Sequence, residues 1–436
     1  FTPDMEIKGA LAENWSTSPD GKKITFQLRS GAKFQDGTPI TAHDVKRSLE
    51  HLMTKMSVVY SYYDCINGSA AFHSGTTSHV TGIQIISHDT IRIHLKYAYP
   101  PFLYVLAGAT AKILPQNFIA NASFDKKLIG SGPFRFSHIE KHDAYTDIKL
   151  TAFDHYYGGA PKIKELILRV MSEREALRQA AAGLVHDLST FPLTGKESVF
   201  SAGKDVTSPL AATWIIGMNT KAAPFANVKT RQAFRQSLDA EAFRMTFNPD
   251  ALPAHGYLPP GLPGYVRHGN SIYSDAVKAT TTAPIKIAIP DVLARSFEMK
   301  LYLEKSLKAH GWDVEVVPME WTKLMDGYTK KTHQAFLVSM NVDYPDSEFL
   351  LKNFESSNSD SFSGLENNTI DALLKKARTT QDRIVRQDIY RKIQAAVDDQ
   401  AVTINLFHPR AHLWGSRCVD SFEPNIIAEN YIDYRN

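Results

Sequence analysis

Sixteen histidines invite a first chemical reading of this chain, and two pairs, His138/His142 and His408/His412, are spaced four apart. On a helix that spacing puts two imidazoles on one face, half of a zinc site. Pro409 interrupts one pair, and the other lies in strand-like sequence. No HExxH, CxxC or clustered carboxylate accompanies them. They therefore read as scattered surface residues, and no metal ligand or cofactor is assigned. One histidine alone, such as His408, stays open as a contact for a metal chelate. Cys65 and Cys418 cannot make a zinc site without other ligands, and a disulfide between them is open. There is no GxSxG elbow, Walker A loop or GxGxxG after a strand, so nothing points to an enzyme.

A different chemistry is suggested at 336–346. Phe336-Leu337-Val338 reads as a buried strand, followed by Ser339, Met340, Asn341, Val342 and Asp343. Asp343 then stands just beyond the carboxyl end of a strand, where α/β sheets place ligand sites. A carboxylate there offers acceptor lone pairs to an ammonium group in a dehydrated cleft. The competing reading is an Asx turn shaping the loop before Pro345. Asn219 ends a strand at 214–219, where its amide either holds a crossover or touches ligand. Arg231, near the start of the next helix, reads as an ion-pair partner within the fold.

The elements that would position these residues are legible from patterning. Ile24, Phe26 and Leu28 alternate with polar residues after the Pro19-Asp20-Gly21 turn, the period of a half-buried strand. Thr41 and Asp44 form a capping box ahead of the stripe Val45, Leu49 and Leu52. Strands follow at Ile83/Ile85 and Ile91/Ile93/Leu95, then a helix after Pro100-Pro101. One helix is predicted from about 224 to Asp239. From about 284, the strand Ile285/Ile287/Ile289, a helix striped by Phe297, Leu301 and Leu307, and the strand Val314/Val316/Val317 argue a parallel α/β sheet. Two helices occupy roughly 368–400, and 402–407 is the last long strand.

At 436 residues the chain is too long for one ordinary core. Its 43% hydrophobic and 22% charged residues are those of a globular protein, and no apolar run is long enough to span a membrane. Net charge is +3 with both signs interspersed, which argues against a nucleic-acid partner. The opening Phe-Thr-Pro-Asp-Met is neither a signal peptide nor a lipid-attachment motif, so a mature or trimmed start is expected.

Residues 11–45 form an ordered string: Leu-Ala-Glu-Asn-Trp, Ser-Pro-Asp-Gly, then Phe-Gln-Leu-Arg-Ser-Gly-Ala-Lys-Phe-Gln-Asp-Gly-Thr-Pro-Ile-Thr-Ala-His-Asp-Val. It resembles, without a gap, the signature of the family 5 (peptide/nickel type) solute-binding proteins of ABC transporters. Gly130-Ser131-Gly132-Pro133-Phe134, 154–161, 183–187 and 224–233 match further motifs of that family in order. Relatives carry several tens of residues before the first motif, where ten precede Leu11 here.

The resemblance implies an α/β, two-lobed periplasmic-binding-protein-like fold of the large class, with an extra small domain II and hinge-connected lobes. Domain II would be 1–132, domain I 133–232 with 415–436, and domain III, the second cleft lobe, 233–414. It implies capture of a short peptide in an interlobe cleft, delivery to an ABC membrane permease, a monomer, and a periplasmic location (or an anchor absent from this chain). In peptide-binding members the aspartate matching Asp343 pairs with the ligand's α-amino group. The main chain matching Ser339, Met340 and Asn341 hydrogen-bonds the peptide as an added strand. Ser339 and Met340 depart from the usual Gly-Trp, and Thr230 stands where a buried valine is usual. A nickel-chelate or heme binder, the sensing domain of a transcription regulator, and an envelope protein that keeps the fold without transporting are the alternatives within the resemblance.

Overall fold

The computed structural model describes residues 2, 5–116, 128–190, 203–269, 272–293, 295–358, 361–419 and 427. Contacts divide the chain into a first compact unit, Phe1–Val206 with His412–Asn436, and a second, Thr207–Ala411. In the first unit, β1 (Ala12–Thr17), β2 (Lys23–Leu28), β3 (Ile83–Ile85) and β4 (Thr90–His94) form an antiparallel sheet ordered β1-β2-β4-β3. Gly21 takes φ +68° in the turn between β1 and β2, and Ile24 and Leu28 are buried as their alternation requires. Thr41 and Asp44 close the capping box reciprocally and open helix Ala42–His51, which buries Val45 and Leu49.

The glycine-rich segment at 130–134 is held by one side chain. Gln35 Nε2 donates to the carbonyls of Gly132 (3.0 Å) and Phe134 (2.7 Å), and its Oε1 accepts from Gly130 N (3.0 Å). This clamp ties the first motif to the start of β5 (Phe134–Lys141). β5, β6 (Tyr145–Ala152) and β7 (Glu165–Met171) make a three-stranded antiparallel sheet. Helix Glu173–Ala181, capped by Ser172, leads into β8 (Asp187–Thr190) and β9 (Gly203–Pro209).

The second unit is built on a six-stranded mixed sheet. Its strands are β10 (Ala212–Met218), β11 (Leu252–Pro253), β12 (Ile285–Pro290), β13 (Val314–Met319), β14 (Ala335–Asn341) and β15 (Thr403–His408), ordered β11-β15-β10-β14-β12-β13. β12 runs parallel to β13 and β14, as the strand–helix–strand pattern predicts, whereas β10 is antiparallel to β14 and β15. Ile216, Leu337, Ile287, Leu303, Leu307 and Trp312 lie in one apolar core. At Gly217 a Cβ would stand 2.6 Å from the Phe336 ring, so this strand position admits no side chain. β16 (Arg410–Ser416) returns between β8 and β9. The unit boundaries thus fall inside β9 and β16.

β10 and helix Val228–Gln236 pack into the six-stranded sheet's core. Two expectations about helices shift. The helix expected over 224–239 is shorter, Val228–Gln236, and Asp239 instead caps a further helix, Ala240–Phe247, by accepting from Ala242 N, the role a short carboxylate prefers. In helix Ser296–Ala309 the buried residues are Leu303 and Leu307, while Phe297 and Leu301 are 63% and 50% exposed. At 3.6 residues per turn, Met299, Tyr302, Leu303 and Leu307 share the core side and Phe297 and Leu301 the other. Cys65 is buried and Cys418 exposed, and no disulfide joins them. The tail beyond Val419 lies outside the described residues except Ile427. No helix among the described residues is long and apolar enough to cross a membrane.

His408 is fully buried in the second unit, and His412 falls in the first. Its Nδ1 lies 3.0 Å from Thr213 Oγ1 and 3.2 Å from the Ala212 carbonyl. Burial pulls its pKa down to about 4.

Two outcomes follow for stability. Gln35→Ala should cost the first unit about 2–3 kcal/mol, since it leaves one N–H and two carbonyls without their partner; urea unfolding measures this. For His408 the folded chain refuses, down to about pH 4, a proton that the unfolded chain accepts near pH 6.5. Its contribution is therefore complete above about pH 6.5 and lost as pH falls toward 4, by at most about 3 kcal/mol. Stability measured across that window should fall less steeply in His408→Asn than in the wild type; equal slopes would contradict the assignment.

Candidate functional site

Successive helical connections cover opposite faces of the sheet around β14. Helix Ser296–Ala309, between β12 and β13, packs Leu303 and Leu307 into the core that holds Leu337. Helix Trp321–Thr329, between β13 and β14, sets the Tyr328 ring 5.1 Å from Phe336. Phe336 and Leu337 are neighbours on one strand and so point to opposite faces. The order reverses between β12 and β14, which makes the carboxyl end of β14 a topological switch point.

The main chain is open there. β14 pairs with β10 along its whole length, from Ala335 opposite Met218 to Asn341 opposite Ala212. β12 pairs only with Ala335 and Phe336. From Leu337 to Asn341, the edge of β14 that faces away from β10 has no strand partner among the described residues. Val342 N donates to the Ala211 carbonyl (3.1 Å), so by antiparallel alternation Met340 turns its N–H and C=O toward β10. Ser339 and Asn341 turn theirs toward the open edge. The Ser339 hydroxyl donates to Asn341 Oδ1 (2.8 Å). Ser339 and Met340 are half-buried and Asn341 is exposed.

In the run 342–348 every residue is buried except Asp343. Its neighbours are pinned from below. Asp346 Oδ1 accepts from Tyr390 Oη (2.5 Å) and from Glu348 N (3.0 Å), and Arg386 stands 3.5 Å from Oδ2. Burial pushes the Asp346 carboxyl up, and Arg386 and Tyr390 oppose that push. Ser347 Oγ donates to the Pro263 carbonyl, and Glu348 accepts from Arg378 Nε (2.8 Å), which also forks onto Glu355. Asp346 thus carries an Asx-type turn in this loop, and Asp343 is presented at its surface.

Asn219 is not brought to this place. It stands opposite Gln334, at the other end of β14, donating to the carbonyls of Lys331 (2.8 Å) and His333 (3.1 Å) and accepting from Lys221 N (2.9 Å). Its amide locks the 331–334 turn. Arg231 is buried and donates to the carbonyls of Gln400, Phe225 and Ala226, with no ion pair among the described residues. Thr230, also buried, accepts from Thr280 Oγ1 (3.1 Å), which satisfies the hydroxyl that a valine would lack. Sequence reasoning did not single out Trp214, which lies opposite Ser339, half-buried and stacked 5.8 Å from Phe407. Its strand was legible, but its register against Ser339 was not.

Comparison with known proteins agrees with this architecture. Residues 6–362 match the family described as bacterial extracellular solute-binding proteins, family 5, middle region. A probable D,D-dipeptide-binding periplasmic protein of Escherichia coli, DdpA, is 24% identical over 97% of this chain and 83% of its own length. The oligopeptide-binding protein OppA of Bacillus subtilis is 24% identical over 91% of this chain and 78% of its own. Among solved structures, a putative peptide-binding protein AppA of Clostridium difficile superposes with TM-score 0.81 at 21% identity, covering 98% of this chain and 92% of that one. AppA of Bacillus subtilis, solved with a nonapeptide, gives 0.78 at 21% identity over 98% and 90%. The shared fold is the two-lobed α/β fold of periplasmic binding proteins. The chain belongs to the bacterial extracellular solute-binding proteins of family 5, which are binding proteins for transport and not enzymes.

Proposed function

We propose that this protein captures a short peptide for import, laying it along the open edge of β14 with its α-ammonium on Asp343. The observation that carries this reading is an exposed carboxylate in an otherwise buried run, adjoining a strand edge that no strand among the described residues pairs. The main chain of Ser339 and Asn341 would hydrogen-bond the peptide backbone, a mode that is tolerant of side-chain sequence. Asp343 would add a charge-assisted pair at the amino end. Trp214 and Met340 are the nearest half-buried side chains by register, and would set side-chain preference. Asn219 is left to a structural role in this proposal.

Relatives named for binding dipeptides and oligopeptides support the ligand class. Delivery would be to a membrane permease of the ABC type, from the periplasm, by a monomer divided into domain II (1–132), domain I (133–232 with 415–436) and domain III (233–414). His408 lends nothing to a nickel-chelate reading, since it is fully buried.

Asp343→Asn should weaken binding of free-amine tri- to pentapeptides by about 1.5–3 kcal/mol and leave N-acetylated ones nearly unchanged, read by isothermal titration. Equal losses for both peptides would rule out Asp343 as the amine anchor. Peptides N-methylated at the backbone positions meeting Ser339 and Asn341 should bind about two- to tenfold more weakly per position, the worth of one hydrogen bond. Full retention of affinity would count against an added strand.

A further inference from the structure

We propose that the β5–β6 hairpin carries a site for a zinc-like divalent transition metal, with Glu140, His142 and Asp147 as ligands and His138 beside them. The site lies in the first unit and shares no residue with 339–343. His142 Nε2 stands 3.8 Å from Glu140 Oε2 and 3.9 Å from Asp147 Oδ2, and one donor atom from each of the three residues lies within 4.8 Å of the others. A zinc ion bound at about 2.0–2.2 Å holds its donors roughly 3.3–3.6 Å apart, so His142 need move only by tenths of an ångström toward each carboxylate. His138 Nε2 sits 2.9 Å from the other oxygen of Glu140. Strand geometry brings the carboxylates together, because Glu140 stands opposite Asp147 across β5 and β6, with His138 two residues before it on the same face and His142 just past the end of β5.

The surroundings orient these groups. Lys149 donates to Glu140 Oε1 (2.8 Å), leaving Oε2 turned to His142. Arg169 forks onto Asp147 with two bonds of 2.7 Å, fixing a carboxylate that is otherwise buried. The Tyr145 ring lies 4.4 Å from the His142 ring and sets its plane. Hydrogen-bonded carboxylates of this kind are the usual outer support of a metal site. Lys149 and Arg169 also bring positive charge, so the site is a modest binder and not a structural zinc. Imidazole with carboxylate suits zinc or nickel better than magnesium or calcium.

The test uses the full chain, free of a polyhistidine tag and stripped with chelator, titrated with zinc chloride alone against a chromophoric chelator. One zinc per chain is expected. His142→Ala should lower the affinity at least about tenfold, and Glu140→Gln should do so as well. His79→Ala, an exposed histidine elsewhere in the first unit, should change nothing. Circular dichroism confirms that each variant is folded. No saturable zinc binding by the wild type, or the same affinity in folded His142→Ala, would overturn the proposal.

Discussion

One-sided pairing of β14 is the constraint on which the rest depends. A strand at the middle of a sheet ordinarily satisfies both edges, since unpaired backbone groups removed from water are costly. Here β10 pairs with β14 over its full length, whereas β12 pairs with only its first two residues. The cause is topological. β12 leaves toward β13 over one face and β14 arrives over the other, so the strands part at their carboxyl ends. The backbone donors and acceptors of Ser339 and Asn341 are then held rigidly by a fully paired neighbour and left for another strand to use.

Rigid presentation of Asp343 depends on its buried neighbours. Asp346 sits at 1% exposure, where an ionised carboxylate is tolerable only with close hydrogen bonds and a cation. Tyr390, Glu348 N and Arg386 supply these, and they bring helix Arg383–Gln400 under the loop. Arg378, shared between Glu348 and Glu355, repeats the device a few residues on. The two acidic residues of the Asp-Tyr-Pro-Asp run therefore do different work: Asp346 holds the turn, and Asp343 is shown to solvent.

Much of the fold was legible in the sequence. The capping box at Thr41, the turn at Gly21 and the parallel β12–β13–β14 pattern are local signals, because propensity and period act over a few residues. The place of Asp343 just past β14 was legible because it follows an apolar run. Three things were not. The function of Gln35 depends on carbonyls almost a hundred positions away. Asn219 reads as a strand end from either direction, and only register shows that it faces Gln334 rather than Asn341. Phe297 and Leu301 have helical spacing as good as that of Leu303 and Leu307, and only the packed sheet selects between them. His138 and His142, read as scattered because their spacing failed on a helix, each approach an oxygen of Glu140, which lies between them in the sequence.

Residue-resolved amide hydrogen exchange, with and without a bound tripeptide, tests the central claim most directly. Ser339 and Asn341 N–H should become strongly protected on adding peptide, while Met340 N–H, already turned to β10, should change little. Saturable peptide binding that leaves Ser339 and Asn341 exchanging as before would contradict the account.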